Sequence, residues 1–410
     1  MISGPRRTRM PGSVRWTAAR GASGPIYATS ADGDDPFATV LTAVDVAGDA
    51  LWRREIGHGS GHPCVGPDGT VWVARREANE AGLIGLDAAG TVLHSLRLDH
   101  EPHEHLGAFA VLPDGFCVSW LPAGFSRIVE PDRHARVARH DTDGRRRWST
   151  PTVLDALSHP GAVELGPHTG GQVRESRPWK PRTIDVAHRE PLLVSGDRVA
   201  ATFADGSSGI AIVYFLDTAT GRLVATTRPG PYHHKAIAGP GEFLIGAQGY
   251  GALATAHYDA SGRMVREWPS HAMLLVGERG DVRGPESENV LPSRSRFVGF
   301  SPDGVGVRQG PHLPEYYTTY PALDEYGTAV FWRNRRLYAV TSGFELRTLH
   351  EAADAEGSVW GRTLLLEEGR VVIHIKDELW VFADTGLGAL SPGPWPCGDG
   401  NLESNPVHHP

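Results

Sequence analysis

Apolar and polar residues alternate along this chain in short runs, and each run ends in a turn signal. The commonest signal is an acidic residue followed within a few positions by Gly. It occurs in AVDVAGDALW (43–52), GLDAAGTVLH (85–94), RHDTDGRRRW (139–148), FLDTATGRLV (215–224), HYDASGRMVR (257–266), GFSPDGVGVR (299–308) and FADTGLGAL (382–390), with a weaker form in AVTSGFELRT (339–348). Asp accepts hydrogen bonds from its own following backbone, and Gly supplies positive φ, so each segment predicts a hairpin. A second hairpin lies between consecutive members, as in GPDGTVWVAR (66–75), VLPDGFCVSW (111–120) and LEEGRVVIHI (366–375). Helical periodicity is nearly absent.

The acidic turn recurs with a period near 42 residues: Asp45 to Asp87, Asp217 to Asp259 and Ser342 to Asp384 are each 42 apart. Two hairpins per period make one four-stranded unit, repeated radially. The expected fold is all-β: a single β-propeller over 1–410, with eight four-stranded blades, or seven if the first and last segments share one. The interval from Asp141 to Asp217 is 76 residues, which places an insertion near 150–186. Such an insertion is a lid or loop on one face. Residues 400–410 read as a flexible tail.

Composition agrees with a turn-rich chain, since Gly (50) and Pro (31) are frequent among 410 residues. A net charge of −8 argues against a nucleic-acid binder. No apolar run reaches the roughly 18 residues of a membrane span. The basic start, MISGPRRTRMPGSVRW, is followed by no apolar segment, so a cytoplasmic protein is expected. Cys64, Cys117 and Cys397 lie far apart, which predicts neither a disulfide framework nor a cysteine zinc module. P-loop, GxSxG and HExxH motifs are absent.

The segments VDVAGDALWRREIG (44–57), GPDGTVWVARRE (66–77), LIGLDAAGTVLHSL (83–96) and GPWPCGDGNLESNPV (393–407) resemble the pyrroloquinoline-quinone-like β-propeller superfamily. That resemblance implies a fold more than an activity. Quinoprotein dehydrogenases of the superfamily are exported and carry adjacent cysteines by the cofactor; this chain has none adjacent, so bound pyrroloquinoline quinone (PQQ) is not expected. Its assembly lipoproteins carry a lipobox cysteine, also missing near the start.

Candidate chemistry rests on histidine, 20 of 410 residues. Blades align on the Gly of the first hairpin turn (Gly69, Gly115, Gly196, Gly241, Gly280, Gly327). Seven to ten residues earlier stand His62, His105, His188, His233, His234 and His271, with Tyr317 and Tyr320 in the next blade. That stretch opens the innermost strand, so the imidazoles are expected to converge on the channel mouth. There they would bind a divalent metal of unknown identity (His62, His105, His233, His271) or carry protons (His234, His188, with Tyr317 and Lys235). Any single histidine of this kind is more often structural. Trp179, Lys180, Arg182, Glu288 and Tyr320 are candidate substrate contacts, and Lys180 and Lys235 are two of only three lysines. The segment PYHHKAIAGPGEFLIGAQGYG (231–251) resembles His-containing segments of polysaccharide-lyase and arylsulfotransferase propellers. The expectation is an enzyme of lyase or hydrolase type acting on a small anionic or ring-containing substrate. The alternatives are a non-catalytic scaffold or ligand-binding propeller and a His-ligated metal oxygenase. Neither substrate nor oligomeric state is fixed by the sequence.

Overall fold

The structure is a computed structural model. It describes all residues except 1, 34, 60, 78–79, 103, 123–133, 153–183, 187–189, 206–209, 250–251, 287–294, 302–305, 315–317, 356–360 and 409–410. The acidic turns fold as their spacing predicts. In one, Asp45 Oδ1 accepts from the backbone N–H of Ala47 at 2.9 Å and of Asp49 at 2.8 Å. Asp87, Asp141 and Asp259 repeat the device. Among the described residues the hairpins so closed make eight sheets, seven of four strands and one with two additional strands. This is the architecture of an eight-bladed β-propeller.

Blade one comprises Val14–Ala19, Ile26–Ala31, Ala38–Val44 and Ala50–His58. Within blades one to seven the four blade strands pair in chain order. First strands such as Cys64–Val65, Leu275–Val276 and Ala322–Leu323 are wholly buried, whereas fourth strands such as Val92–Arg97 and Met264–Trp268 are largely exposed. That gradient is why the apolar runs are cleanest early in each repeat.

The chain forms two compact units: Met1–Arg97 with Ala272–Asn405, and Leu98–His271 with Pro406–Pro410. The first holds blades one, two, six, seven and eight; the second holds blades three, four and five. Both use the same inter-blade contact. In the first unit Trp52 donates its indole N–H to Ala88 O at 2.8 Å and packs on Gly90 of the next blade. In the second, Trp148 donates to Thr218 O at 3.0 Å and packs on Gly221.

Three features differ from expectation. No strand follows the turn at 382–390, because the sequence after Phe382 has no alternating apolar run. The fourth strand of blade eight is instead the N-terminal Arg6–Arg9, paired antiparallel with Glu378–Phe382. The first and last segments thus share a blade, yet eight blades remain, because Arg6–Arg9 precedes a complete first blade. Third, residues 401–408 are held in place rather than free. Leu402 O and Glu403 O accept from Ala19 and Val65 at 2.8 Å, and Val407–His408 pairs parallel with Leu192–Ser195. The insertion at 150–186 lies almost wholly outside the described residues; its last part, Ile184–Val186, pairs with Arg198–Asp205. Among the described residues no helix is long and apolar enough to cross a membrane.

Candidate functional site

In the second unit the strand Tyr232–Gly239 opens with polar residues before its apolar core. Neighbouring side chains of a regular strand point to opposite faces. Here the pairing with Glu242–Gly249 steps from Tyr232↔Ala247 to Lys235↔Ile245, so one extra residue is accommodated. Such a bulge re-aims side chains. The consecutive rings of His233 and His234 accordingly lie 4.9 Å apart and nearly perpendicular. His271, from the loop before blade six, completes a triangle at 5.6 Å from His233 and 5.4 Å from His234.

His271 is fully buried, and its ring fills the space beside Gly246. A Cβ there would come within 2.2 Å of its Cδ2. Its Nε2 accepts the backbone N–H of His234 at 3.4 Å. Two opposite charges are buried beside the rings. Glu190, with φ of 40°, places Oε1 3.7 Å from His234 Nδ1 and accepts the Lys235 backbone N–H at Oε2, 3.2 Å away. The Lys235 ammonium donates to His233 O at 2.6 Å. Lys235 is 1% exposed and Glu190 6%, and burial of such charges is tolerated only with compensation. His233 is half-buried and is therefore the imidazole with access to solvent. A carboxylate behind one imidazole, with a second imidazole open to solvent, suits proton transfer.

The other sequence candidates fall elsewhere. His105 lies on Glu104–Leu112 opposite Leu121. His62 and Tyr320 belong to the first unit. There His62 stacks flat on Trp16 at 4.4 Å, and Tyr320 meets Trp16 edge-on at 5.7 Å. Trp16 Nε1 donates to Asp399 Oδ2 at 2.7 Å and Ser404 Oγ at 3.1 Å. His188, Tyr317, Trp179, Lys180, Arg182 and Glu288 lie outside the described residues. Among the described residues no group of three or more His, Cys, Asp or Glu side chains converges to hold a metal ion. All three cysteines are buried thiols outside any disulfide, and burial pushes Cys117 up to about 12 and Cys397 to about 11, which disfavours the thiolate of both.

Glu190 and Gly246 were not singled out from the sequence. Glu190 stands two residues after His188, so an inspection for carboxylates near the histidine register finds it. Gly246 has no such signal, because its contribution is the absence of a side chain.

No family model matches the chain, and neither does any curated protein. Among solved structures the Dos1 propeller is similar over 94% of this chain and 96% of its own, with 9% identity and a TM-score of 0.58. A streptogramin B lyase covers 94% and 98% at 11% identity and a TM-score of 0.46. The β-propeller domain of the Trilobed protease from Pyrococcus furiosus covers 85% and 98% at 12% identity and 0.45. At 9% identity the likeness to the Dos1 propeller is one of architecture; it supports a β-propeller and leaves the chemistry to the residues.

Proposed function

We propose that this propeller is an enzyme that moves a proton on a small anionic or ring-containing substrate, in lyase- or hydrolase-type chemistry, at the His233–His234–His271 cluster. The observation that carries the reading is the triangle of imidazoles with buried Glu190 behind one of them. His233, open to solvent, exchanges the proton with substrate. His234, backed by Glu190, is the second acid–base group. Lys235 fixes the His233 backbone and, with the cluster otherwise neutral but for Glu190, supplies positive charge for an anion. In this reading His188 carries protons, as its sequence position suggests, and Trp179, Lys180 and Arg182 contact the substrate.

The test is a substrate screen with uronate-containing oligosaccharides, lactones and esters. β-Elimination is followed by the absorbance of the conjugated product, and hydrolysis by proton release. The expected hit has a bell-shaped pH profile and falls about 10²–10⁴-fold in His233→Ala and in His234→Ala. A turnover that both variants retain would sink the reading, and saturable binding without turnover would replace it with a ligand-binding propeller.

A further inference from the structure

Blade eight differs from the other seven in how its sheet is completed. Their outer strands arrive through a tight turn from the strand beside them. The outer strand of blade eight, Arg6–Arg9, comes from the opposite end of the sequence. Its sequence is RRTR, mostly exposed and without one apolar side chain. By contrast, the outer strand of blade one carries Trp52, which docks on the next blade. Beyond its edge hydrogen bonds, the strand is fastened by Thr8 Oγ1, which donates to Gly48 O, by Ile2 and Met10 packed on the core on either side, and by ion pairs. The Arg7 guanidinium bonds Asp354 at 2.9 Å and lies 4.0 Å over the Trp380 ring. Arg9 meets Asp377 at 3.1 Å, and Arg6 pairs with Asp49. In the register Arg9 also stands opposite Glu378. Ion pairs this exposed are weak and are screened by salt. If the strand lifts, it bares the edge of Glu378–Phe382, an apolar strand and a template for another chain.

We infer that this edge is a strand-accepting surface with an ionic latch, and that its partner in trans is Arg6–Arg9 of a second copy of this chain. Three features select that partner. Acidic groups border the edge where the strand is basic: Glu378 stands opposite Arg9 in register, and Asp354 and Asp377 pair with Arg7 and Arg9. The strand is joined to blade one through only Met10–Ser13, a short connection of the kind that favours exchange between copies. Met10 is buried and donates its N–H to Asp377 O at 2.7 Å, which anchors the incoming strand at the same edge. The inference is independent of the proposed catalytic cluster, which lies in the other unit.

The experiment uses two full-length variants with opposed charge. One carries Asp354→Arg with Asp377→Arg, the other Arg7→Asp with Arg9→Asp. Neither closes its own latch, but each strand matches the other's edge. Alone, the first is expected to be clipped by trypsin at Arg6–Arg9 about ten-fold faster than wild type and to remain monomeric. Mixed, the two should form a 1:1 dimer by light scattering, with clipping returned to the wild-type rate. Clipping of the first variant at the wild-type rate would show that charge does not hold the strand. Two monomers after mixing would show that no second copy is accepted. Should either variant fail to fold, wild type and Arg7→Ala decide. Wild-type clipping must rise several-fold between about 0.05 M and about 0.5 M salt, Arg7→Ala must start near the high-salt rate, and concentrated Arg7→Ala must dimerise. A flat salt response or a strictly monomeric Arg7→Ala overturns the inference.

Discussion

Gly246 is where a missing side chain determines the candidate site. A methyl group there would meet a buried ring that is also held by the His234 backbone N–H, so His271 has little room to yield. Gly246→Ala should cost about 1–3 kcal/mol, read as a fall in Tm, and any turnover at the cluster should fall although every imidazole is retained. The repeat gave each histidine a register position, and of these the rings of His233, His234 and His271 lie within 5.6 Å of one another. Gly246 was illegible because sequence records side chains and not the space between them. His374 gives a second prediction at this scale. It sits inside blade eight, 3% exposed, and desolvation alone lowers it to about 4. In the unfolded chain an ordinary histidine titrates near 6.5. The unfolded state therefore binds more protons between those values. The stabilisation is complete above about pH 6.5 and is lost as pH falls toward 4, by an amount on the order of 3 kcal/mol. Chemical denaturation across that range should show this slope, and His374→Gln should flatten it.

At the scale of elements, hairpins were readable wherever an acidic turn was flanked by alternating apolar residues on both sides. The segment at 382–390 has the turn and lacks the second run, and there the expected strand does not form. The strand that replaces it could not be found from a local period, because Arg6–Arg9 and Glu378–Phe382 are brought together only by closure of the sheet. The bulge at His233 was equally hidden, since one extra residue leaves the alternation of the whole strand almost unchanged. Contacts between blades are carried by Trp on Gly, and this can be tested as a pair. Trp52→Ala removes the bond to Ala88 O and the packing on Gly90, at a cost of about 2–4 kcal/mol. Gly90→Ala builds a Cβ 2.7 Å from the same indole, at a φ of 79° that already disfavours any side chain. Denaturation of the two single variants and the double should show less than additive loss, because the clash disappears with the indole.

For the molecule as a whole, the C-terminal segment solves a problem that every sheet of this kind has. The first strand of a blade has one edge paired within its blade and one edge not, and a buried unpaired N–H costs about 1–3 kcal/mol. In the first unit the chain after Leu390 meets these edges in turn. Val276 donates to Trp395 O at 2.8 Å, Leu323 to Pro396 O at 2.7 Å, and Ala19 and Val65 to Leu402 O and Glu403 O. The buried Arg362 guanidinium bonds Asn401 O as well as Thr17 O. In the second unit Val194 donates to Pro406 O at 2.8 Å. Trp395, 1% exposed, and Cys397, fully buried, fasten the segment. Residues 400–410 read as a tail from the sequence because they carry no alternating apolar run. Trp395→Ala should cost about 3–5 kcal/mol, a large share of the stability of an ordinary domain. Hydrogen exchange locates the loss. The Val276 and Leu323 amides, bonded beside the indole, should exchange much faster in the variant. Those of Ala28 and Leu41, inside blade one, should accelerate only as far as global stability falls. Equal acceleration everywhere would mean that the segment acts on the unit as one body rather than edge by edge.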